Sequence, residues 1–337
     1  MEPKPQENPG SSGPSEFELI ERVRAGLGDQ EGLAVGPGDD AAVIEIDGQV
    51  VVSVDSMVEG IHFPRGWKDP GDIAHRALAG ALSDLAAMAA EPRTVLIALG
   101  LPGATEAEFL EGLADATVEA AGRFGVSVAG GDVVQSPTLF LSVTVIGDLP
   151  GGRAPVTRSG AQTGDLVAVT GALGGSAAGL SILTGTEVPG LGPDLRDSLV
   201  SRYLRPTPLT ALGVTFGEVG PTAMVDVSDG LVADLGHLAS ASSVSISIDA
   251  DAVPIESGVE AVADATGRDL VGFALSGGED YELAMTVDPE QLEALVEMVE
   301  SKGFTLSVIG RVGDGAGVEI TSAGLSIEPP PGFEHSF

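Results

Sequence analysis

A set of aspartates defines the chemistry this sequence could perform. Asp39 and Asp40 follow Gly36-Pro37-Gly38, Asp55 closes the run VVSVD, and Asp132 closes VSVAGGD behind Gly130 and Gly131. Asp226 and Asp229 flank Ser228 just after MVDVS, and Asp84 stands inside the apolar run ALSDLAAM. A carboxylate in such a run is costly unless something neutralises it. Strand ends in α/β sheets are where ligands bind, and glycines let the backbone approach phosphate oxygens closely. Carboxylates that converge there form a hard-oxygen site suited to Mg²⁺ or Mn²⁺. Taken singly, each aspartate also reads as a turn former or a helix N-cap.

Other chemistries are thinly represented. The chain has no cysteine, which excludes disulfides, thiolate zinc sites and cysteine nucleophiles, and its 4 histidines are scattered at 62, 75, 237 and 335. GALGGSAAG (171–179) follows a strand but lacks the G-x-G-x-x-G spacing, so it reads more readily as a tight strand-to-helix turn than as a phosphate loop. The only lysines are Lys4, Lys68 and Lys302, and no P-loop motif occurs. Arg158 in VTRSGA is a rare positive charge beside a glycine, either a partner for a nucleotide phosphate or an ordinary surface arginine. In SGGEDYEL (276–283) a Ser-Gly-Gly turn delivers Glu279 and Asp280 ahead of a strand, or is simply a polar turn.

These residues need elements to position them, and the chain is long enough for two domains at 337 residues. Residues 1–14 are Pro-, Gly- and Ser-rich and read as a flexible tail, followed by a short amphipathic helix bearing Phe17, Leu19, Ile20 and Val23. AAVIEI (41–46) and QVVVSVD (49–55) read as two strands of a hairpin joined at Asp47-Gly48. Residues 72–92 read as a buried helix stopped by Pro92. A strand at 94–102, a helix at 105–124 and the strands VSVAGGD and TLFLSVTVIGD complete a first domain, 15–150. The second, 151–337, opens with the strand and helix of DLVAVTGALGGSAAGLSIL. It continues through TAMVDVSDGLVADLGHLAS and FALSGGEDYELAMTV to the helix EQLEALVEMVESKG and a closing strand LSVIGRV. The fold class is α/β with mixed sheets.

Composition limits the partners. The 16 Lys+Arg against 50 Asp+Glu give a formal net charge of −34, which repels nucleic acid and anionic membranes. Hydrophobic residues at 43% supply ample core, yet no apolar run reaches the ~18 residues of a membrane span, and no basic-then-apolar signal pattern occurs. A soluble, cytoplasmic protein is expected. A phosphate ligand on so acidic a chain needs divalent cations to neutralise it.

GPGDDAAVI, SVDSMVEGIHF, ALSDLAAM, GGDVVQSP, VTRSGAQTGD, DVSDGLVADLGHLA and SGGEDYEL occur in that order. Together, from about residue 15 onward, they resemble the thiamine-monophosphate kinase family, in the superfamily of aminoimidazole ribonucleotide synthetase and selenophosphate synthetase. The resemblance implies a two-domain, aminoimidazole ribonucleotide synthetase-like homodimer that uses ATP and several Mg²⁺ ions to convert thiamine monophosphate to thiamine diphosphate. It maps metal ligands onto Asp40, Ser53, Val54 (through its backbone), Asp55, Asp84, Asp132, Asp226 and Asp229. ATP contacts map onto Gly131, Asp132, Arg158 and Ser228, and substrate contacts onto His62, Glu279 and Phe333. No catalytic base is implied, because the attacking phosphate oxygen is already anionic. Two alternatives stay open: another ATP-dependent enzyme of the superfamily, similar to aminoimidazole ribonucleotide synthetase, and an inactive nucleotide-binding regulator.

Overall fold

The computed structural model describes residues 16–328, apart from 28–29, 31, 36–41, 47, 65, 68 and 104. Its residues form two compact units. One draws on the described residues within 1–46, 54–78 and 93–145, the other on those within 47–53, 79–92 and 146–337. Among the described residues no helix is long and apolar enough to cross a membrane.

The chain first runs through α1 (Glu16–Leu27), β1 (Leu33–Val35), β2 (Val43–Ile44), β3 (Val50–Val58) and α2 (Pro70–Ala87). It continues as β4 (Glu91–Leu101), α3 (Ala107–Phe124), β5 (Ser127–Gln135) and β6 (Phe140–Asp148). A four-stranded sheet has the order β3-β6-β4-β5, with β4 and β5 parallel. Helix α3 buries Leu110, Leu113, Ala114, Thr117, Ala120 and Ala121, a stripe at helical spacing, and stops at Gly125 in the left-handed conformation.

Two expectations are corrected here. The hairpin across 41–55 does not form: β2 pairs antiparallel with β1, while β3 joins the four-stranded sheet beside β6. Nine residues of alternating exposure give β3 a sheet partner of its own length, which a two-residue β2 cannot supply. The helix predicted over 72–92 ends at Ala87. Ala89 turns left-handed at φ 57°, the Ala90 amide closes onto the Leu85 carbonyl at 2.9 Å, and Pro92 lies at the start of β4, where a strand tolerates a missing donor.

The later part comprises β7 (Leu166–Thr170), α4 (Gly175–Leu183), α5 (Pro193–Leu204), α6 (Thr210–Val219), β8 (Ala223–Asp226) and α7 (Leu231–Ser242). Then follow β9 (Ser245–Asp249), α8 (Val259–Thr266), α9 (Leu270–Ser276), β10 (Leu283–Val287), α10 (Leu292–Ser301), β11 (Leu306–Gly313), β12 (Gly317–Ser322) and β13 (Leu325–Ile327). LSVIGRV is therefore not the closing strand, because β12 returns to pair parallel with the distant β9 and β13 pairs with β12. A seven-stranded sheet results, in the order β13-β12-β9-β11-β7-β10-β8. Its central strands are buried on both faces and alternate between two cores. Val167, Val169, Val225 and Ala284 join the core containing Leu231, Leu235 and Leu238 of α7. Ala168, Met224, Leu283 and Met285 join the one containing Leu212, Phe216 and Leu295 of α6 and α10. Helices thus cover both faces of the sheet, and β7, β8 and β10 are fixed on either side where they hand over to their loops.

Candidate active site

Asp226 is the last residue of β8 and is only 3% exposed. Its Oδ2 accepts a 2.8 Å hydrogen bond from the hydroxyl of Ser83 on α2. The next residue of that helix, Asp84, accepts a 2.5 Å bond from the Ser53 hydroxyl. Burial pushes the Asp226 carboxyl up to about 7, with the Asp84 charge adding to the push and the Ser83 hydroxyl and Arg158 opposing it. Ser53, Asp84, Arg158 and Asp226 line one cleft of about 460 Å³, together with Thr157, Ser159 and an apolar side of Val51, Leu85, Met88 and Met224. One cleft therefore holds two acidic groups, a guanidinium and an apolar wall.

The turn after Asp226 is shaped by Asp234, a buried residue in the first turn of α7 whose Oδ2 accepts the amides of Ser228 at 3.0 Å and Asp229 at 3.1 Å. Burial first, and then the charges of Asp226 and Asp229, push its carboxyl up to about 8. Beside this turn runs the segment ahead of β10. Val227 donates to the Glu282 carbonyl at 2.8 Å, Tyr281 to the Val227 carbonyl at 2.9 Å and Glu279 to the Ser228 carbonyl at 2.7 Å. These bonds extend the β8–β10 pairing past the strand ends and set Ser228 and Asp229 beside Glu279. Gly278 has φ +67°, and a Cβ there would lie 2.7 Å from the Ser228 carbonyl oxygen, so only glycine fits.

The glycine turn 171–175 is not a phosphate cradle. The amides of Gly171 and Leu173 donate to the carbonyls of Thr305 and Pro254, and those of Gly174 and Ser176 to the Asp280 carboxylate. A carboxylate of the chain itself occupies the N-terminus of α4, where an anion is favoured.

The other unit carries Val54, Asp55, His62, Gly131 and Asp132. Asp55 is half-buried on β3 and accepts the Ser56 amide at 2.7 Å, whereas Val54 is 62% exposed. Asp132 is exposed on β5. The two acids lie on opposite edge strands of the four-stranded sheet. Gly131 faces Ile97 of β4, whose carbonyl oxygen a Cβ would approach to 2.1 Å. His62 Nδ1 accepts the Val58 amide at 3.0 Å, which leaves the proton of the neutral ring on Nε2. Asp40 and Phe333 lie outside the described residues.

Comparison with known proteins decides the family. The family model described as AIR synthase related protein, N-terminal domain, matches residues 38–149, and its C-terminal counterpart matches 162–322. A thiamine-monophosphate kinase of Mycobacterium tuberculosis (strain ATCC 25618 / H37Rv) is 42% identical over 80% of this chain and 79% of its own length. The crystal structure of the thiamine-monophosphate kinase from Stenotrophomonas maltophilia K279a is similar with TM-score 0.79 and 37% identity, over 93% of this chain and 98% of that one. A structure of AaThiL complexed with AMPPCP and TMP is similar with TM-score 0.75 and 31% identity, over 95% and 97%. The chain belongs to the thiamine-monophosphate kinase family.

As a member of the thiamine-monophosphate kinase family it is a phosphotransferase, and the donor atoms of its cleft suit a hard cation. Asp84, Asp226 and the Ser53 hydroxyl offer oxygen only, and the Asp84 charge lies close enough to oppose the ionisation of Asp226. Among the described residues no three acidic or histidine side chains form a metal cage. Mg²⁺ needs none, since it keeps waters and binds through one or two carboxylates plus substrate phosphates. Sequence reasoning missed Ser83, Asp234 and Glu282. Asp234 had a signal, an acid in the first turn of a helix directly after the VSDG turn; Ser83 and Glu282 had none.

Proposed function

We propose that this kinase transfers the γ-phosphoryl group of ATP directly to the phosphate of thiamine monophosphate, giving thiamine diphosphate. The cleft in which Asp84, Asp226 and Ser53 face Arg158 carries the reading. The relative's complex with AMPPCP and TMP supports both substrates. Asp40, Ser53, the Val54 backbone, Asp55, Asp84, Asp132, Asp226 and Asp229 hold Mg²⁺ in this reading, and the ions neutralise the phosphates when bound. Arg158, Ser228, Gly131 and Asp132 orient ATP. Arg158 offsets negative charge on the transferred group, as a planar guanidinium does for a phosphate. His62, Glu279 and Phe333 hold thiamine monophosphate, Glu279 facing its cationic ring.

The attacking oxygen carries its own negative charge, so alignment and charge neutralisation suffice for an in-line transfer. Asp226 is kept in place by Ser83, and the Ser228–Asp229 turn by Asp234. We assign the enzyme to the cytoplasm, where ATP is available, and to a homodimer. Val50, Val52 and Val54 form an exposed apolar row on β3, which supports a second copy covering that strand.

The test is an assay of purified protein with ATP, Mg²⁺ and thiamine monophosphate. Stoichiometric ADP and thiamine diphosphate are expected, abolished by EDTA and absent with unphosphorylated thiamine as acceptor. No diphosphate from folded protein with Mg²⁺ present overturns the reading.

A further inference from the structure

The four residues Glu279–Glu282 alternate between two backbone states. Glu279 and Tyr281 hold left-handed φ values of 59° and 53°, a region that L side chains seldom enter. Such residues persist only where the surroundings over-determine them, and they cluster at functional sites. Here the surroundings are Asp280 and Glu282, which are 4% and 6% exposed. Asp280 Oδ2 and Oδ1 accept the amides of Gly174 at 2.8 Å and Ser176 at 3.0 Å. Glu282 Oε2 accepts the Thr170 hydroxyl at 2.7 Å, and its Oε1 accepts Arg202 Nη2 at 2.9 Å. Arg202 also donates to the Ala172 carbonyl at 3.1 Å, so a single guanidinium of α5 ties Glu282 to the glycine turn.

A plain connection into β10 does not require this. Glycine or asparagine at 279 and 281 would take the same path without strain. The strain instead fixes the backbone of Glu279, whose amide is held on Ser228 while the residues after it are locked to another strand-to-helix turn. We propose that Asp280, Glu282 and Arg202 are positioning residues for Glu279, holding its carboxylate where the substrate's cationic ring binds. This rests on the proposed substrate role of Glu279. Loss of one anchor frees Glu279 and Tyr281 to relax towards right-handed φ, which swings the Glu279 side chain while leaving the Asp84–Asp226 cleft intact.

The test compares Glu279→Ala, Asp280→Asn, Glu282→Gln and Arg202→Met, and each anchor variant combined with Glu279→Ala. KM for thiamine monophosphate, KM for ATP and kcat are read for each. Glu279→Ala is expected to raise KM for thiamine monophosphate at least tenfold. Each anchor variant is expected to raise it about tenfold, the effect of losing a buried charge-assisted hydrogen bond, with KM for ATP within about twofold of wild type. In the Glu279→Ala background the same anchor changes add less than about twofold, a non-additivity that general loosening of the fold would not produce. Equal rises in both KM values, or full additivity, overturn the positioning role. If Glu279→Ala alone leaves KM for thiamine monophosphate unchanged, the substrate reading of Glu279 fails and the proposal falls with it. If only the anchors have no effect, that reading stands and the positioning role fails. Should Asp280→Asn not fold, Glu282→Gln decides the matter, because it keeps the shape of the side chain and the Thr170 partner.

Discussion

The amide of Glu279 donates a 2.7 Å hydrogen bond to the carbonyl oxygen of Ser228. One bond thereby joins a residue assigned to thiamine monophosphate to one assigned to ATP. Gly278 makes the bond possible, having no Cβ to strike that carbonyl. Gly278→Ala is expected to destabilise the protein by about 1–3 kcal/mol, the cost of a left-handed alanine plus the contact. KM should rise for both substrates. A thermal melt and steady-state kinetics check this, and an unchanged melting temperature would show the loops to be independent.

Ser83 has no place in the reaction except through Asp226. Removing its hydroxyl leaves a buried carboxylate oxygen without its side-chain donor, a loss of about 1 kcal/mol in stability. Groups that orient metal-binding carboxylates affect metal affinity or rate about 10- to 100-fold when lost. Ser83→Ala should therefore shift the Mg²⁺ concentration for half-maximal rate upward by roughly that factor, or lower kcat. A Mg²⁺ titration that superimposes on wild type would exclude the role.

The acids at strand ends were legible because a carboxylate beside glycines, or inside an apolar helix, contradicts its surroundings. That contradiction picked out Asp84 inside α2 and Asp226 at the end of β8, whereas Asp132, read as closing its strand, lies inside β5. What Ser83 faces was not legible, since its partner lies 143 residues away and a serine on a helix has no local conflict to reveal it. In SGGEDYEL, Glu279 and Asp280 looked equivalent as turn acids, yet one is half-buried beside the Ser228 turn and the other caps α4. Which acid goes where depends on left-handed backbone that no propensity encodes. The parallel pairing of β12 with β9 escaped for a similar reason, a register set between strands separated by some seventy residues.

Asp280 gives stability a pH dependence of definite sign. Burial raises its carboxyl to about 6, against the two amides and Arg202, with Glu282 adding to the rise. A raised folded-state value means that the proton binds the folded protein more tightly than the unfolded chain. The stabilisation is full below the unfolded value of 3.8 and is lost as pH rises through about 6. Asp280→Asn carries no such proton. The stability of wild type relative to this variant should fall by up to about 3 kcal/mol between pH 4 and pH 7, measured by denaturant titration at each pH. A difference that is flat in pH would contradict the raised carboxyl of Asp280.

Asp132→Asn and Asp226→Asn should both abolish turnover and yet move stability differently. Asp132 is exposed, so its substitution leaves the fold and melting temperature of the metal-free protein unchanged. Asp226 is buried against like charge, and its amide counterpart keeps an oxygen to accept from Ser83 while shedding the charge. Asp226→Asn should therefore melt higher than wild type in EDTA at pH 8, by the few degrees that about 1–2 kcal/mol gives in a protein of this size. Addition of Mg²⁺ and ATP should reverse the order, because only wild type gains the stabilisation of bound ligand. If Asp226→Asn melts lower than wild type in EDTA, Asp226 is held by its neighbours as a structural acid and its burial against the Asp84 charge does not destabilise the fold. The order of the two melting curves, with and without Mg²⁺ and ATP, thus separates a carboxylate kept for function from one kept for the fold.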